Sequence, residues 1–252
     1  MIIKRFNRYE LKYVIHARSY RRLMADLKHF MEPDRHAGES GFYRVVSLYY
    51  DSPGLHAYWS KLDGLKFRRK LRLRIYPYPD LQSVKTGFVE IKQRIDRTVQ
   101  KRRVVLPLAE AEQVCSGEPV LSELDETDSA TVSEVNYMVR ALRLRPTCVV
   151  SYRRQAFVGG RFEQGMRLTF DAQLQGRVHA LTVNELARNR YFLPPDWLVM
   201  EVKVNERVPN WVVSLLAKHE CRLQRVSKYC AVVSRGLHHR QRAMALKENL
   251  YG

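Results

Sequence analysis

The chain has 252 residues, of which 45% are hydrophobic, and its 44 Lys and Arg against 26 Asp and Glu give a formal charge of +18. No stretch approaches the roughly 18 to 20 uninterrupted apolar residues of a membrane-spanning helix, so we predict a soluble protein. The charged N-terminus lacks the apolar segment of a secretory signal, which predicts a location that is cytoplasmic or peripheral to a membrane. The excess positive charge favours an anionic partner: nucleic acid, a membrane surface or a polyanionic small substrate.

Most of the sequence alternates apolar and charged residues with the period of two that is typical of β-strands, and we predict an α+β fold. Helical spacing of apolar residues interrupts this pattern near residues 17–31, 107–116, 132–144 and 209–222. The polar, acidic segment 115–134 is predicted to be a loop between two helices. Because the same basic strand pattern precedes and follows this loop, we predict a single domain over residues 1–252.

The predicted strands share charged faces that are mostly Lys and Arg. Alternate side chains of a strand lie on one face about 6.5–7 Å apart, so Lys70, Arg72 and Arg74 line one side of their strand. The pattern recurs with Lys12 beside Glu10, Lys92 and Arg94 beside Glu90, Lys101 beside Arg103, Arg154, Arg167 beside Asp171, and Lys203 beside Glu201. A sheet with one face in water also alternates, but a solvated face usually mixes positive and negative charge.

If the sheet curls so that these faces point inward, cations line the enclosed space and helices cover the apolar outer face. Two like charges about 6 Å apart repel by roughly 3 kcal/mol at an effective dielectric constant of about 20, so such a row needs an anion. Glu10, Glu90 and Glu201 either pair with the cations or hold Mg²⁺ or Mn²⁺ through hard oxygen ligands, and Glu201 is the favoured metal ligand.

Seven segments of the chain, in this order, resemble the VTC domain, which belongs to the triphosphate tunnel metalloenzymes of the CYTH-like superfamily. They are 8–13, 71–74, 89–92, 152–157, 167–171, 200–203 and 226–229. The resemblance covers nearly the whole chain. It implies an antiparallel eight-stranded β tunnel with helices packed outside.

The resemblance also implies an ATP-dependent polyphosphate polymerase, which transfers the terminal phosphoryl group of ATP to a growing polyphosphate chain with Mn²⁺ or Mg²⁺. Glu201 is the metal ligand that it implies, and Glu90 and Glu10 are further candidates. Arg225 departs from the family pattern, which favours a lysine there. The phosphate-binding or catalytic candidates are Lys12, Arg72, Arg74, Lys92, Lys101, Arg154, Arg167, Lys203, Arg225 and Lys228.

Several alternatives stay open. A hydrolase of inorganic or nucleoside triphosphates with the same fold, or a non-catalytic polyphosphate-binding protein, would use the same basic face. The sequence has no GxxxxGK[ST] or GxGxxG motif, so side chains must hold the triphosphate. Nucleic acid is not expected as a partner, since the cations alternate with apolar residues on strands and no nucleic-acid-binding module is visible. The chain lacks the regulatory and membrane-spanning regions that accompany the VTC domain in eukaryotic complexes, so it would act either alone or with a separate membrane partner.

Overall fold

The structure is a computed structural model that describes residues 9–34, 41–96, 98–160, 163, 165–205 and 207–238. Within these residues the strands are β1 (Tyr9–His16), β2 (Met31–Pro33), β3 (Tyr43–Asp51), β4 (Phe67–Ile75), β5 (Thr86–Ile95), β6 (Thr98–Pro107), β7 (Arg145–Gly159), β8 (Arg167–Arg177), β9 (Arg190–Tyr191) and β10 (Trp197–Val204). The helices are α1 (Ala17–Leu27), α2 (His56–Leu62), α3 (Leu108–Ser116), α4 (Glu126–Leu142), α5 (Asn210–Lys218) and α6 (residues 228–238).

The strands form one sheet in the order β1-β10-β8-β7-β3-β4-β5-β6, with β2 beside β7 and β9 beside β8. All of these neighbouring strands pair in the antiparallel direction. The two ends of this eight-strand path meet: β1 contacts β6, and Lys92 Nζ of β5 lies 2.7 Å from Glu10 Oε2 of β1. The predicted α+β tunnel architecture is therefore confirmed, although no backbone ladder joins β6 to β1 in the described part of the chain.

Helices α3 and α4 cover the outer face of β4, β5 and β6. Leu71 and Leu73 are fully buried there together with Val135 of α4. Burying each such leucine stabilises the fold by roughly 1.5–3 kcal/mol. The contact is close enough that a Cβ added at Gly87 of β5 would lie 2.5 Å from the Cβ of Ala111 in α3. The apolar side of each alternating strand thus faces outward, toward the helices.

Helices α1 and α5 cover the outer face at the other end of the sheet path. Phe170 of β8 and Met200 of β10 pack there against Leu23 and Leu27 of α1 and Leu215 of α5. These two outer clusters account for the predicted helical cover of the apolar strand faces. None of the described helices combines the length and the apolar composition that crossing a bilayer requires.

Helix α6 packs against the inner face of the sheet instead. Its residues Tyr229 and Val232 belong to a buried cluster with apolar side chains of β3, β7 and β8. The Tyr229 hydroxyl donates a hydrogen bond to Asp51 at the end of β3. The same carboxylate accepts the backbone N–H groups of Ala57 (2.8 Å) and Tyr58 (3.0 Å) in α2. Helix α6 therefore fills the end of the curled sheet at which β3 terminates.

The four predicted helices correspond to α1, α3, α4 and α5, but the bounds of these helices differ from the predicted ones. Helix α1 ends at Leu27, and α4 begins at Glu126, well inside the segment predicted to be a loop. The Asp125 side chain accepts the backbone N–H of Asp128 at 2.7 Å and so caps α4. Helices α2 and α6 were not predicted, because α2 is short and the apolar residues of α6 resemble those of a strand.

Candidate functional site

The inner face of the curled sheet carries charged side chains. On β4, Leu71 and Leu73 are buried in the outer cluster, which places Arg72 and Arg74 on the opposite, inner face. The register sets Arg72 opposite Glu90 on β5. The same alternation on the other strands assembles two clusters of ionised groups from residues that are far apart in sequence.

We call the first of these the arginine cluster, and Glu90 lies at its centre. Glu90 is fully buried and accepts hydrogen bonds from Arg72 Nε at 2.6 Å and Arg103 Nε at 2.7 Å. Lys101 Nζ lies 3.4 Å and Arg74 Nη1 lies 3.7 Å from the same carboxylate. Burial alone would raise the pKa of Glu90, but these four cations hold it well below its ordinary value. Four positive charges therefore surround one carboxylate.

Hydroxyl groups hold the arginines of this cluster in place. Burial alone would raise the pKa of Tyr49, but Arg72 and Arg74 lower it, as expected for a phenol oxygen that faces two guanidinium groups. Hydrogen bonds to hydroxyl groups already orient the guanidinium planes of these arginines, so the arginines lose little conformational freedom when they bind a phosphate. The guanidinium–hydroxyl contacts are Arg72 with Tyr49 (3.1 Å), Arg74 with Ser47 (3.1 Å) and Tyr152 (3.3 Å), and Arg103 with Tyr76 (3.4 Å).

The second set, which we call the lysine–carboxylate cluster, lies on β1, β5, β7, β8, β10 and α6. Lys228 at the start of α6 connects Asp171 and Glu201, with Nζ to oxygen distances of 2.6 and 2.7 Å. Lys12 likewise connects Glu10 and Glu201, at 3.1 and 3.4 Å. The remaining members are Arg154, bonded to Asp171 at 2.6 and 2.7 Å, Lys203, 3.4 Å from Glu201, and Lys92, 2.7 Å from Glu10.

Neighbouring charges and burial shift the pKa values of both the carboxylates and the lysines of this cluster. Burial alone would raise the pKa values of Glu10 and Glu201, but the neighbouring ammonium groups, above all Lys12, hold both well below their ordinary range. Glu201 and Glu10 raise the pKa of Lys12 against the effect of burial. Burial lowers the pKa of Lys203 to about 8, although Glu201 opposes that shift. Lys203 therefore loses its proton closer to neutral pH than an ordinary lysine does.

The structure brings eight of the ten predicted cations into the two clusters. Arg167 lies apart from them, with Nη2 at 2.7 Å from Asp34 and 3.2 Å from the Tyr43 hydroxyl. Arg225 is exposed on the segment before α6. The candidate list also missed two members, Arg103 and Asp171. Both lie on the basic strand faces identified in the sequence. Arg103 shares a strand face with Lys101, and Asp171 shares one with Arg167, and this alternation was the signal that could have identified them.

A divalent ion was predicted at Glu201, with Glu10 and Glu90 as further candidates. No set of three carboxylate, His or Cys side chains suited to an ion occurs among the described residues. Mg²⁺ usually binds proteins through one or two carboxylates and completes its shell with substrate phosphate oxygens and water. Glu10 and Glu201, which share the Lys12 ammonium group, fit this donor set. Glu10 and Glu201 also contact cations on both oxygens, but the closest of these are flexible lysines. Glu90 instead accepts arginine hydrogen bonds on both oxygens, an arrangement that suits an ion-pair centre.

Comparison with known proteins identifies the family. The family model of the VTC domain matches residues 7–235 of the chain. The chain belongs to the VTC domain family. The resemblance drawn from the seven sequence segments is thereby confirmed, and the match covers both clusters of this VTC domain.

Other comparisons give more distant likenesses. The curated protein sequences contain no match to this VTC domain. Among solved structures, a candidate adenylate cyclase from Bacillus halodurans shares 13% identity over 88% of this chain and 95% of its own, with a TM-score of 0.48. A candidate adenylyl cyclase from Hippeastrum, described as having a dominant triphosphatase activity, shares 15% identity over 90% of this chain and 95% of its own, also with a TM-score of 0.48.

Proposed function

We propose that this VTC domain is an ATP-dependent polyphosphate polymerase, which transfers the terminal phosphoryl group of ATP to a growing polyphosphate chain inside the curled sheet. Family membership supports an enzyme that acts on triphosphate or polyphosphate. The finer assignment, a polymerase and not a hydrolase, rests on the family and on the two clusters of the inner face.

The observation that carries this proposal is the charge balance of the inner face. The two clusters contain nine cations and four carboxylates, so positive charge exceeds negative charge by five within these described groups. Holding uncompensated like charges this close together is costly, so stability of the fold does not account for them. A polyanion such as a triphosphate would neutralise them.

The proposed reaction breaks the bond between the γ-phosphorus of ATP and its bridging oxygen and forms a bond to a terminal oxygen of polyphosphate. ADP leaves, and no residue of the protein becomes covalently modified. The protein therefore has to align the reactants and neutralise the phosphoryl oxygens. The arginine cluster, with its hydroxyl-bound guanidinium groups, would hold the oxygens of the triphosphate. Lys12 and Lys228 of the lysine–carboxylate cluster would neutralise the phosphoryl group that is transferred.

The predicted Mn²⁺ or Mg²⁺ forms part of this proposal, with Glu201 and Glu10 as the residues that would hold it. When bound, such an ion would supply further neutralisation of phosphate oxygens. Lys12 contacts both carboxylates, and its flexible side chain would also contact the phosphate oxygens of a bound substrate.

The direct test is to incubate the purified protein with ATP and Mn²⁺ and to follow the products by phosphorus NMR and by gel electrophoresis of long anionic chains. ADP together with accumulating chains is the expected result. Orthophosphate without chains would overturn the polymerase and identify a hydrolase. Absence of turnover, with tripolyphosphate protecting the protein against thermal unfolding, would instead identify a polyphosphate-binding protein.

Competition distinguishes a polyphosphate site from a nucleic-acid surface. Tripolyphosphate is expected to displace bound ATP at concentrations at which DNA of equal phosphate content does not. Both anions bind in a salt-dependent way, so salt sensitivity alone does not separate them. Equal displacement by DNA would contradict an enclosed triphosphate site.

A further inference from the structure

Three aromatic rings line the inner face beyond the arginine cluster. Tyr43 begins β3, Tyr76 directly follows β4 and Phe88 lies near the start of β5. The ring centroids of Tyr43 and Tyr76 are 5.9 Å apart, and those of Tyr76 and Phe88 are 5.1 Å apart. All three side chains are half-buried. We call this group the aromatic rim.

The aromatic rim continues the strand faces that carry the phosphate candidates. Tyr76 is the next inward-facing residue after Arg74, and Phe88 is the next before Glu90, so each lies about 6.5–7 Å from its charged neighbour. Arg103 joins the two regions, since its guanidinium carbon lies 4.9 Å from the Phe88 ring centre and its Nη2 lies 3.4 Å from the Tyr76 hydroxyl. A group attached to a triphosphate in the arginine cluster would therefore reach these rings.

The aromatic rim lies at the end of the curled sheet away from α6. Helix α6 contacts Asp51, the last residue of β3, whereas Tyr43 is the first. At about 3.3 Å per residue the two ends of this strand are roughly 26 Å apart. Val105, directly opposite Phe88 on β6, is 50% exposed. Apolar side chains thus meet solvent at this end of the inner face, next to the arginine cluster.

Aromatic rings next to an arginine are suited to a flat, polarisable group. Nucleobases stack on aromatic side chains and on guanidinium planes whatever their sequence, because every base has a π-face. An inorganic triphosphate has no such group, and a row of phosphates gains nothing from phenyl rings. The aromatic rim is therefore suited to a flat, polarisable group, whereas the arginine cluster is suited to phosphate groups.

We propose that the aromatic rim binds the nucleobase of a nucleoside triphosphate, with Phe88 and Arg103 as the principal stacking partners. The proposal rests on the proposed function, because it assumes that the triphosphate occupies the arginine cluster. It makes the rim the element that selects a nucleotide over inorganic triphosphate as the phosphoryl donor.

The test compares ATP with inorganic tripolyphosphate by isothermal titration calorimetry in EDTA, so that neither anion is turned over. The readout is the ratio of the tripolyphosphate Kd to the ATP Kd, which cancels changes common to both triphosphates. Phe88→Ala is expected to lower this ratio by about 5- to 150-fold, the range spanned by stacking of a base on an aromatic residue. Tripolyphosphate binding by the same variant reports whether the site is still folded.

Two further variants complete the design. Phe88→Leu keeps an apolar side chain but removes the π-face, and it is expected to lower the ratio as well. Tyr137→Ala removes an aromatic residue of α4 that is 65% exposed on the outside, and it is expected to leave the ratio unchanged. An unchanged ratio in both Phe88 variants would overturn the stacking proposal alone. Failure of the wild-type protein to bind either anion would overturn the proposed function and the stacking proposal with it.

Discussion

The two clusters of the inner face differ in how far carboxylates balance their positive charges. The arginine cluster sets three arginines and one lysine around the single carboxylate of Glu90. The lysine–carboxylate cluster sets four lysines and one arginine among three carboxylates. The first keeps a net excess of three charges and the second an excess of two.

We expect this difference to separate substrate binding from the chemical step. Arginine stays charged at every accessible pH and offers a planar set of donors, so the first cluster presents a constant anion site. Lysines shift their pKa values readily when buried, and carboxylates accept divalent ions, so the second cluster can respond to pH and to metal. Breaking the arginine cluster should therefore lower affinity at every pH, whereas breaking the lysine–carboxylate cluster should change how binding and turnover depend on pH and on metal.

The largest effect is expected for Glu201→Gln in the lysine–carboxylate cluster. Turnover at a limiting Mn²⁺ concentration should fall by about 100-fold or more, since even the outer partners of metal ligands change metal affinity or activity by about 10–100-fold. The concentration of Mn²⁺ that gives half-maximal turnover should rise, which a metal titration of initial rates measures. Glu134→Gln, on the outer face beside Arg102, is the matched control and should leave both values unchanged. An unaltered metal requirement in Glu201→Gln would remove Glu201 from the metal site.

A smaller effect, on affinity, is expected for Arg74→Ala in the arginine cluster. The loss of hydrogen bonds to a charged phosphate should weaken tripolyphosphate binding by about 10- to 100-fold. The melting temperature of the ligand-free protein should stay the same or rise, because Arg72 and Arg74 repel each other and Arg74 is the cation farthest from Glu90. Lys92→Ala should likewise weaken binding.

Calorimetry and thermal unfolding measure these two quantities for Arg74→Ala. Arg153→Ala, which removes an exposed guanidinium from the neighbouring position to Arg154, is the control and should bind tripolyphosphate normally. A large fall in the ligand-free melting temperature of Arg74→Ala would show that Arg74 is structural, against the interpretation of the cluster as an anion site.

The smallest effect concerns pH. Because the pKa of Lys203 is about 8, raising the pH through 8 removes its proton and with it one positive charge near Glu201. ATP affinity should therefore fall between pH 8 and pH 9, where ATP itself stays fully ionised, by at most about tenfold per pH unit for one proton. Lys203→Arg should reduce the slope, since arginine keeps its proton, and a slope equal to that of the wild type would exclude Lys203 as its source.

The sequence predicted the strand faces because alternation is a local property. Leu71 and Leu73 alternate with Arg72 and Arg74 whatever the rest of the chain does, and the scarcity of carboxylates on those faces indicated an enclosed site. The aromatic partners were less visible. Tyr49 and Tyr152 have the inward parity of their strands, but an aromatic residue at such a position is equally typical of a hydrophobic core.

Local pattern therefore determined the α+β class, the family and the row of cations, because each depends on residues close together in the chain. The tertiary structure decided which cations share a carboxylate. Lys92 meets Glu10 across 82 residues and Tyr229 meets Asp51 across 178, and both contacts exist only because the sheet curls and α6 enters one end of it. The alternation of residues along a strand does not determine how far the sheet bends or which helix enters it. The pairing of charges therefore depends on the packing of the whole chain.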